Sequence, residues 1–532
     1  MISFDSAFAR LDQFIEQLIR ERNVAGLAVA VTNREQLLGV RTYGYADVSA
    51  RRPITPDTLF EIGSIGKSFT AIALLQLHAE GRIDLHAPVT RYLPWFEVRS
   101  QFEPITLHHL LSHTAGIVSS PDITSDSRYD VYALRETETS SPPGTHFYYS
   151  NVGYRALGFV LEEVTGQSYA DAIRARILNP LGMDATDPVI THATRHRLAV
   201  GYQRFYDDRP THPSHPLVPA TWLETGTGDG CLGCTAADLA TYLRALMNRG
   251  RGLLSEDGFG LLTQRLIEED VPGWFYGYGL GAFEDEGFAC LGHGGDMVGY
   301  SAGMQGDMDN GLGVCVLINQ SQVFGITTSF LRLFRAAQRG EALPPLPAPS
   351  DPTRVENASQ YVGVYHSESQ TLTLVADDER LYLYHRGESV ALEARGADTF
   401  FVPHPDFALF PLRFGRTEGQ VVEAYHGPDW YRSERYAGPV TFASPAEWSA
   451  LVGHYRSNNP WRTNFRVALR KGALWLIDPD GSETALVALD DYRFRVGAEA
   501  YMPERLVFGS VVAGQTLSAN FSGCHYYRAF TR

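Results

Sequence analysis

The sequence predicts an α/β (α+β) domain, a mixed antiparallel sheet flanked by helices, followed by two all-β antiparallel barrels. Three observations carry this. Over roughly the first 340 residues apolar positions alternate between helical and strand spacing. Residues 338–354 then hold five prolines and no apolar periodicity. Beyond them, a unit of roughly 90 residues occurs twice.

The opening helix covers 4–22, where Phe4, Phe8, Leu11, Ile15 and Leu18 recur at helical spacing. Gly26 to Tyr45 reads as two strands around the turn Asn33-Arg34-Glu35. A helix starts at Ser64, carries Ile65, Phe69, Ile72 and Leu75, and stops at Gly81. Further helices are expected over 153–165, 168–178 and 235–248, and strands over 287–293, 298–305 and 312–319. A sheet drawn from both ends of a segment, with helices between, makes residues 1–337 one domain. The prolines of 338–354 (Pro344, Pro345, Pro347, Pro349 and Pro352) give a stiff, extended linker.

After the linker come short alternating strands, many aromatics and Gly/Asp turns. Tyr361-Val-Gly-Val-Tyr365 recurs as Leu451-Val-Gly-His-Tyr455, and Leu381-Tyr-Leu-Tyr384 as Leu474-Trp-Leu-Ile477. Pro411-Leu-Arg-Phe-Gly415 recurs as Arg505-Leu-Val-Phe-Gly509, and Trp430-Tyr-Arg432 as Tyr526-Tyr-Arg528. Small loop insertions account for the drifting offset. Residues 355–442 and 443–532 are therefore read as two antiparallel barrels, with intertwined sheets as the alternative.

A formal net charge of -16 without a Lys/Arg cluster argues against a nucleic-acid binder and against docking on anionic lipid. It fits a small neutral or cationic substrate. No apolar run is long enough to span a bilayer, and Met1-Ile2-Ser3-Phe4-Asp5 lacks a signal-peptide pattern. A cytoplasmic location is expected, or a periplasmic or secreted one if the chain is already trimmed. The five cysteines form no disulfide framework, and Cys231-Leu-Gly-Cys234 lacks a second ligand pair for zinc, so small buried residues are expected there. No metal or cofactor is expected. The expected partner is a small molecule or short peptide, and a homodimer is compatible with the sequence.

Only two lysines occur, Lys67 and Lys471. Arginine stays protonated, whereas a buried lysine can exchange a proton near neutral pH. Lys471, in Arg470-Lys471-Gly472, reads as an exposed turn. Lys67 lies in Ser64-Ile-Gly-Lys67, a spacing that puts both side chains on one helix face. A serine at a helix start gains from the positive end of the dipole, and a desolvated lysine can accept its proton.

These residues, with Glu80-Gly-Arg-Ile-Asp-Leu85, resemble the serine β-lactamases of class C and their penicillin-binding relatives. The family's Tyr-x-Asn signature appears as Tyr149-Ser150-Asn151, after Pro142-Pro-Gly144; Tyr148 competes for the register but does not complete the motif. His109-Leu-Leu-Ser-His113-Thr-Ala-Gly-Ile117 resembles the segment between, and the family's Lys-Thr-Gly strand corresponds to His293-Gly294-Gly295. The resemblance covers about residues 5–335 and implies a β-lactamase-like catalytic domain, with lipocalin-like barrels after it as in bacterial D-aminopeptidases.

It also implies roles. Ser64 is the nucleophile, and Lys67 and Tyr149 share proton transfer, the phenol being held near phenolate beside an ammonium. Asn151 bonds Lys67 and the substrate amide, its alternative being a helix N-cap. His293 forms a wall of the site. Gly294 and Gly295 let the substrate approach the strand, and the Asp296 N–H joins that of Ser64 as oxyanion hole. A histidine at 293 is a weaker anchor for an anion than the family's lysine. The expectation is therefore a serine hydrolase of D-aminopeptidase or D-amino-acid amidase type. Carboxylesterase and then β-lactamase or D-Ala-D-Ala carboxypeptidase activity are the alternatives, and a binding module with a vestigial site is the non-enzymatic one.

Overall fold

The computed structural model describes residues 3–122, 127–321, 323, 325–347 and 351–530. Contacts divide the chain into two units. The first is Met1–Gln203, Pro216–Ala348 and Tyr501–Pro503; the second is Arg204–His215, Pro349–Ala500 and Glu504–Arg532.

In the first unit nine strands form a sheet with antiparallel pairings. Its order runs Arg52–Pro53, Leu37–Asp47, Gly26–Asn33, Leu312–Ile318, Tyr300–Asp307, Phe288–Met297, Gly281–Asp285, Phe275–Tyr276, Ile267–Glu268. The first hairpin turns at Asn33, whose Oδ1 accepts the Glu35 and Gln36 N–H groups, and its inner strand pairs Val29 with Val316. The sheet is thus built from both ends of the segment. All seven residues of Leu312–Ile318 are buried, as expected of a strand covered on both faces.

One face is covered by the opening helix Phe4–Arg22 and by Thr327–Arg339, whose Phe334 packs edge-on against Phe8 at 4.7 Å. Sequence reasoning did not foresee the second of these helices. The other face carries Gly66–Ala79, Asn151–Thr165 and Ala236–Met247. The helix expected over 168–178 is Tyr169–Ile173 followed by a π turn over Arg174–Leu178. Among the described residues no helix is long and apolar enough to cross a membrane.

The second unit holds the repeat. Nine antiparallel strands from Gly363–His366 to Asp429–Ser433 form a sheet whose edge strands, Glu388–Ala391 and Glu393–Gly396, are separated only by Leu392, so it is nearly closed. Eight strands from Gly453–Arg456 to Cys524–Arg528 form a closed barrel. The repeated tyrosines do the same work in each: the Tyr365 hydroxyl donates to Tyr361 O at 2.9 Å, and that of Tyr455 to Leu451 O at 2.6 Å. Each lies on a first strand that meets the last, through Tyr365 opposite Ser433 and Tyr455 opposite Arg528.

Residues 204–215 also belong to this unit, with Asp207 paired to Arg456 and His212 stacked on Phe401 at 4.7 Å. Lys471 is not an exposed side chain. It does sit in a turn, but its ammonium meets Glu423 at 3.1 Å and lies within 6.0 Å of the rings of Tyr425, Trp430, Tyr436 and Phe442. The aromatic surplus of the repeat supplies the cage, which spacing along the chain does not reveal.

Candidate active site

Ser64 lies on a 3-10 turn, Gly63–Ile65, that runs into the buried helix Gly66–Ala79. Gly63 takes a φ of +52°, and a Cβ there would meet Asp296 N and O at 2.7 Å. The turn is therefore pressed against the strand Phe288–Met297. A Cβ on Gly295 would lie 1.9 Å from Ile62 O, so the bareness of Gly295 is spent on the protein's own backbone. Gly294 is different: a Cβ there reaches only Ala302 O, at 4.0 Å, and the space above it is open. This strand pairs with Gly281–Asp285 only as far as Gly292, and from His293 to Met297 it pairs on its other side alone. Its free edge at Asp296 faces Gly63.

Lys67 is fully buried. Its Nζ donates to Ser64 Oγ at 3.0 Å, Asn151 Oδ1 at 2.7 Å and Asp229 O at 2.7 Å. Burial pulls its pKa down to about 8, with the Arg155 charge acting in the same direction and the Asp229 carboxylate opposing. The two amide oxygens can only accept. A neutral Lys67 therefore keeps both N–H groups on them and turns its lone pair to the Ser64 hydroxyl, which is the arrangement a general base needs. At pH 7 about a tenth of the chains hold that form.

Tyr149 is hydrogen-bonded to Ser64, and Lys67 Nζ stands 4.9 Å from its ring centre. Burial raises the phenol's pKa above its ordinary value, so Tyr149 is a neutral phenol and not the near-phenolate that the ammonium alone would suggest. Asn151 is the first residue of the helix Asn151–Thr165, but Ser150 caps it by accepting the Gly153 N–H at 3.2 Å. Asn151 is thereby free to face Lys67.

His293 packs beside Tyr149, ring centres 6.3 Å apart. Its Nδ1 contacts Gly294 O and its Nε2 the Tyr276 hydroxyl at 3.0 Å. A carbonyl cannot donate, so Nδ1 carries the proton and Nε2 accepts from Tyr276. Burial lowers the imidazole's pKa to about 4, which leaves the ring neutral.

The site thus joins a serine on a tight turn and a lysine three residues on, at the start of a buried helix, to a tyrosine and an asparagine at the start of a second helix. The Beta-lactamase family model matches residues 11–333. The chain belongs to the Beta-lactamase family. Among curated relatives it is 36% identical over 226 residues to Esterase EstB of Burkholderia gladioli, an alignment covering 38% of this chain and 56% of that protein. The chain spans about half the length of the first curated relatives it matches. The octameric penicillin-binding protein homologue from Pyrococcus abyssi superposes with a TM-score of 0.58 at 26% identity, over 80% of this chain and 99% of that one. The D-stereospecific amidohydrolase from Streptomyces sp. does so with a TM-score of 0.51 at 26% identity, over 63% and 99%.

Several residues around this Beta-lactamase family site escaped sequence reasoning. Tyr276 was hidden in the aromatic run Trp274-Phe-Tyr-Gly-Tyr278. Asp229, in Thr227-Gly-Asp-Gly230, gives Lys67 its main-chain oxygen, while its carboxylate is held by Arg155 at 3.0 Å. Arg155 lies one turn beyond Asn151 and is paired also to Asp130 and Asp122. That i, i+4 pattern was the available signal.

Cys231 and Cys234 are buried, their thiols bonded to the Thr225, Thr227 and Thr186 hydroxyls. Among the described residues one group has metal-ligand spacing, His385, His404 and Asp406, in the second unit. There His404 Nδ1 accepts the Asp406 N–H, while the carboxylate is paired to His385 at 2.8 Å and Arg386 at 3.1 Å. These donors are spent on one another.

Proposed function

We propose that the chain is a metal-free serine hydrolase that works through an acyl-enzyme, with small amides or peptides bearing an N-terminal D-residue as substrates. The observation that carries this reading is Lys67 bonded at once to Ser64, Asn151 and Asp229, its pKa lowered to about 8. Neutral Lys67 takes the Ser64 proton as Oγ attacks the substrate carbonyl. The oxyanion is met by the backbone N–H groups of Ser64 and Asp296, whose backbones the Gly63 turn brings together. Tyr149, a neutral phenol touching Ser64, passes a proton to the leaving amine and is reprotonated from Lys67. Water then attacks the ester as Lys67 takes its proton, and Lys67 hands that proton to Ser64 Oγ as the acyl–oxygen bond breaks, which restores the neutral amine and the serine hydroxyl.

The substrate class rests on His293. A neutral ring with both nitrogens engaged offers no charge to a free carboxylate, which penicillins and D-Ala-D-Ala ends would bring. The likeness to a D-stereospecific amidohydrolase supports the amide reading. The likeness to Esterase EstB supports short acyl esters as the second. A panel of D- and L-aminoacyl nitroanilides, short nitrophenyl esters and a chromogenic β-lactam tests it. Turnover of D-aminoacyl nitroanilides is expected; turnover of the lactam alone, or of L-substrates alone, overturns the substrate class.

A further inference from the structure

His113 follows the short helix Leu107–Leu111, with a φ of +58° and 1% of its surface exposed. A positive φ is uncommon for histidine and marks a position whose surroundings impose it. Its main-chain oxygen accepts the Tyr148 N–H at 2.8 Å, and its ring Nδ1 accepts the Ser150 N–H at 3.0 Å. One residue thus holds the main-chain N–H groups of the two residues that flank Tyr149. The ring itself lies 4.2 Å from the Tyr149 ring, and 5.0 Å and 4.8 Å from those of Tyr154 and Tyr276.

We propose that His113 is the positioning residue of the site: its imidazole Nδ1 fixes Tyr149 against Ser64 and, through Ser150, Asn151 against Lys67. An N–H donor at Ser150 requires a lone pair on Nδ1, so the ring proton stays on Nε2. Burial disfavours a second proton on the ring, and the charge of Lys67 opposes it too. His113 therefore takes no proton in the reaction. Ser150 is the hinge of the device. Its N–H goes to His113, and its hydroxyl donates to Val118 O at 2.8 Å and caps the helix that begins with Asn151. Loss of the Nδ1 acceptor would free Tyr149 and Asn151 together, although neither touches the imidazole nitrogens.

The two ring nitrogens can be tested separately, because an Asn amide oxygen falls near the place of Nδ1 and a Gln amide oxygen near that of Nε2. Asn also tolerates a positive φ. In the 532-residue chain, His113→Gln and His113→Phe are expected to lower kcat on a short nitrophenyl ester by about tenfold or more, with KM within about twofold. His113→Asn is expected to recover most of the loss, and labelling by a fluorophosphonate to follow the same order. If Gln restores activity and Asn does not, or if all three match the wild type, the proposal is overturned. Should His113→Phe fail to fold, the Asn and Gln pair still decides. The inference rests on the Ser64–Lys67–Tyr149 reading. Failure of that reading appears as wild-type chain that takes no label, whereas failure of this one appears as labelled wild type with a flat or inverted His113 series.

Discussion

Lys67 must be positive enough to stay bonded to three oxygens and neutral often enough to take a proton. Burial settles the balance near pH 8, because the protein interior penalises the charge that water would support. In the proposed mechanism the neutral amine is the working form, so kcat/KM is expected to rise with pH up to about 8 and then level off. A profile flat from pH 6 to 9 would contradict this assignment. Lys67→Arg keeps the charge and cannot lose it, and is expected to cut kcat by about a thousandfold or more, with KM little changed. Tyr149→Phe keeps the ring against His113 and removes the proton relay. It is expected to lose about a hundredfold in kcat on amides, and less on esters of good leaving groups. Equal losses on both would place Tyr149 outside leaving-group protonation. The Ser64/Lys67 pair was legible because the chain has so few lysines. Tyr149 and Asn151 were legible as a motif, but the phenol's charge state was not, because it depends on how deeply a fold buries the ring.

At the scale of elements, the strand Phe288–Met297 and the turn Gly63–Ile65 form the site by direct backbone contact. Gly295→Ala is expected to part them, with lower melting temperature and lost activity, because its Cβ would lie 1.9 Å from Ile62 O. Gly294→Ala, facing open space, is expected to fold normally and to raise KM. Equal melting temperatures for the two would contradict this contrast. Glu61, just before the turn, is buried in a strand facing Gly233, and burial raises its carboxyl from 4.5 to about 8. A raised folded pKa favours folding fully below about pH 4.5 and fades as pH climbs through about 8. Glu61→Gln is therefore expected to flatten the fall of melting temperature between about pH 5 and 8; an unchanged slope would show that Glu61 is not its source. Most helices and strands were legible from periodicity. The helix Thr327–Arg339 was not, and the order of the strands could not be, since long-range pairs such as Val29 with Val316 leave no local pattern.

At the scale of the molecule, two features tie distant parts of the sequence together. The repeat was legible because each copy must close a barrel with the same tyrosine and the same first-to-last strand pairing. The capture of residues 204–215 by the second unit was not, since Asp207, Asp208 and His212 look like any polar loop. Phe401→Ala removes the ring under His212 and is expected to open this loop to trypsin at Arg204, a bond expected to resist cleavage in the wild type. Unchanged digestion would contradict the packing. The central claim is that Ser64 is the nucleophile of an acyl-transfer site. It is tested most directly by treating the 532-residue chain with a fluorophosphonate and locating the adduct by peptide mass. The account predicts one adduct, on the peptide carrying Ser64, absent from Ser64→Ala and strongly slowed in Lys67→Arg. No adduct on the wild type, or equal labelling of Ser64→Ala, would contradict it.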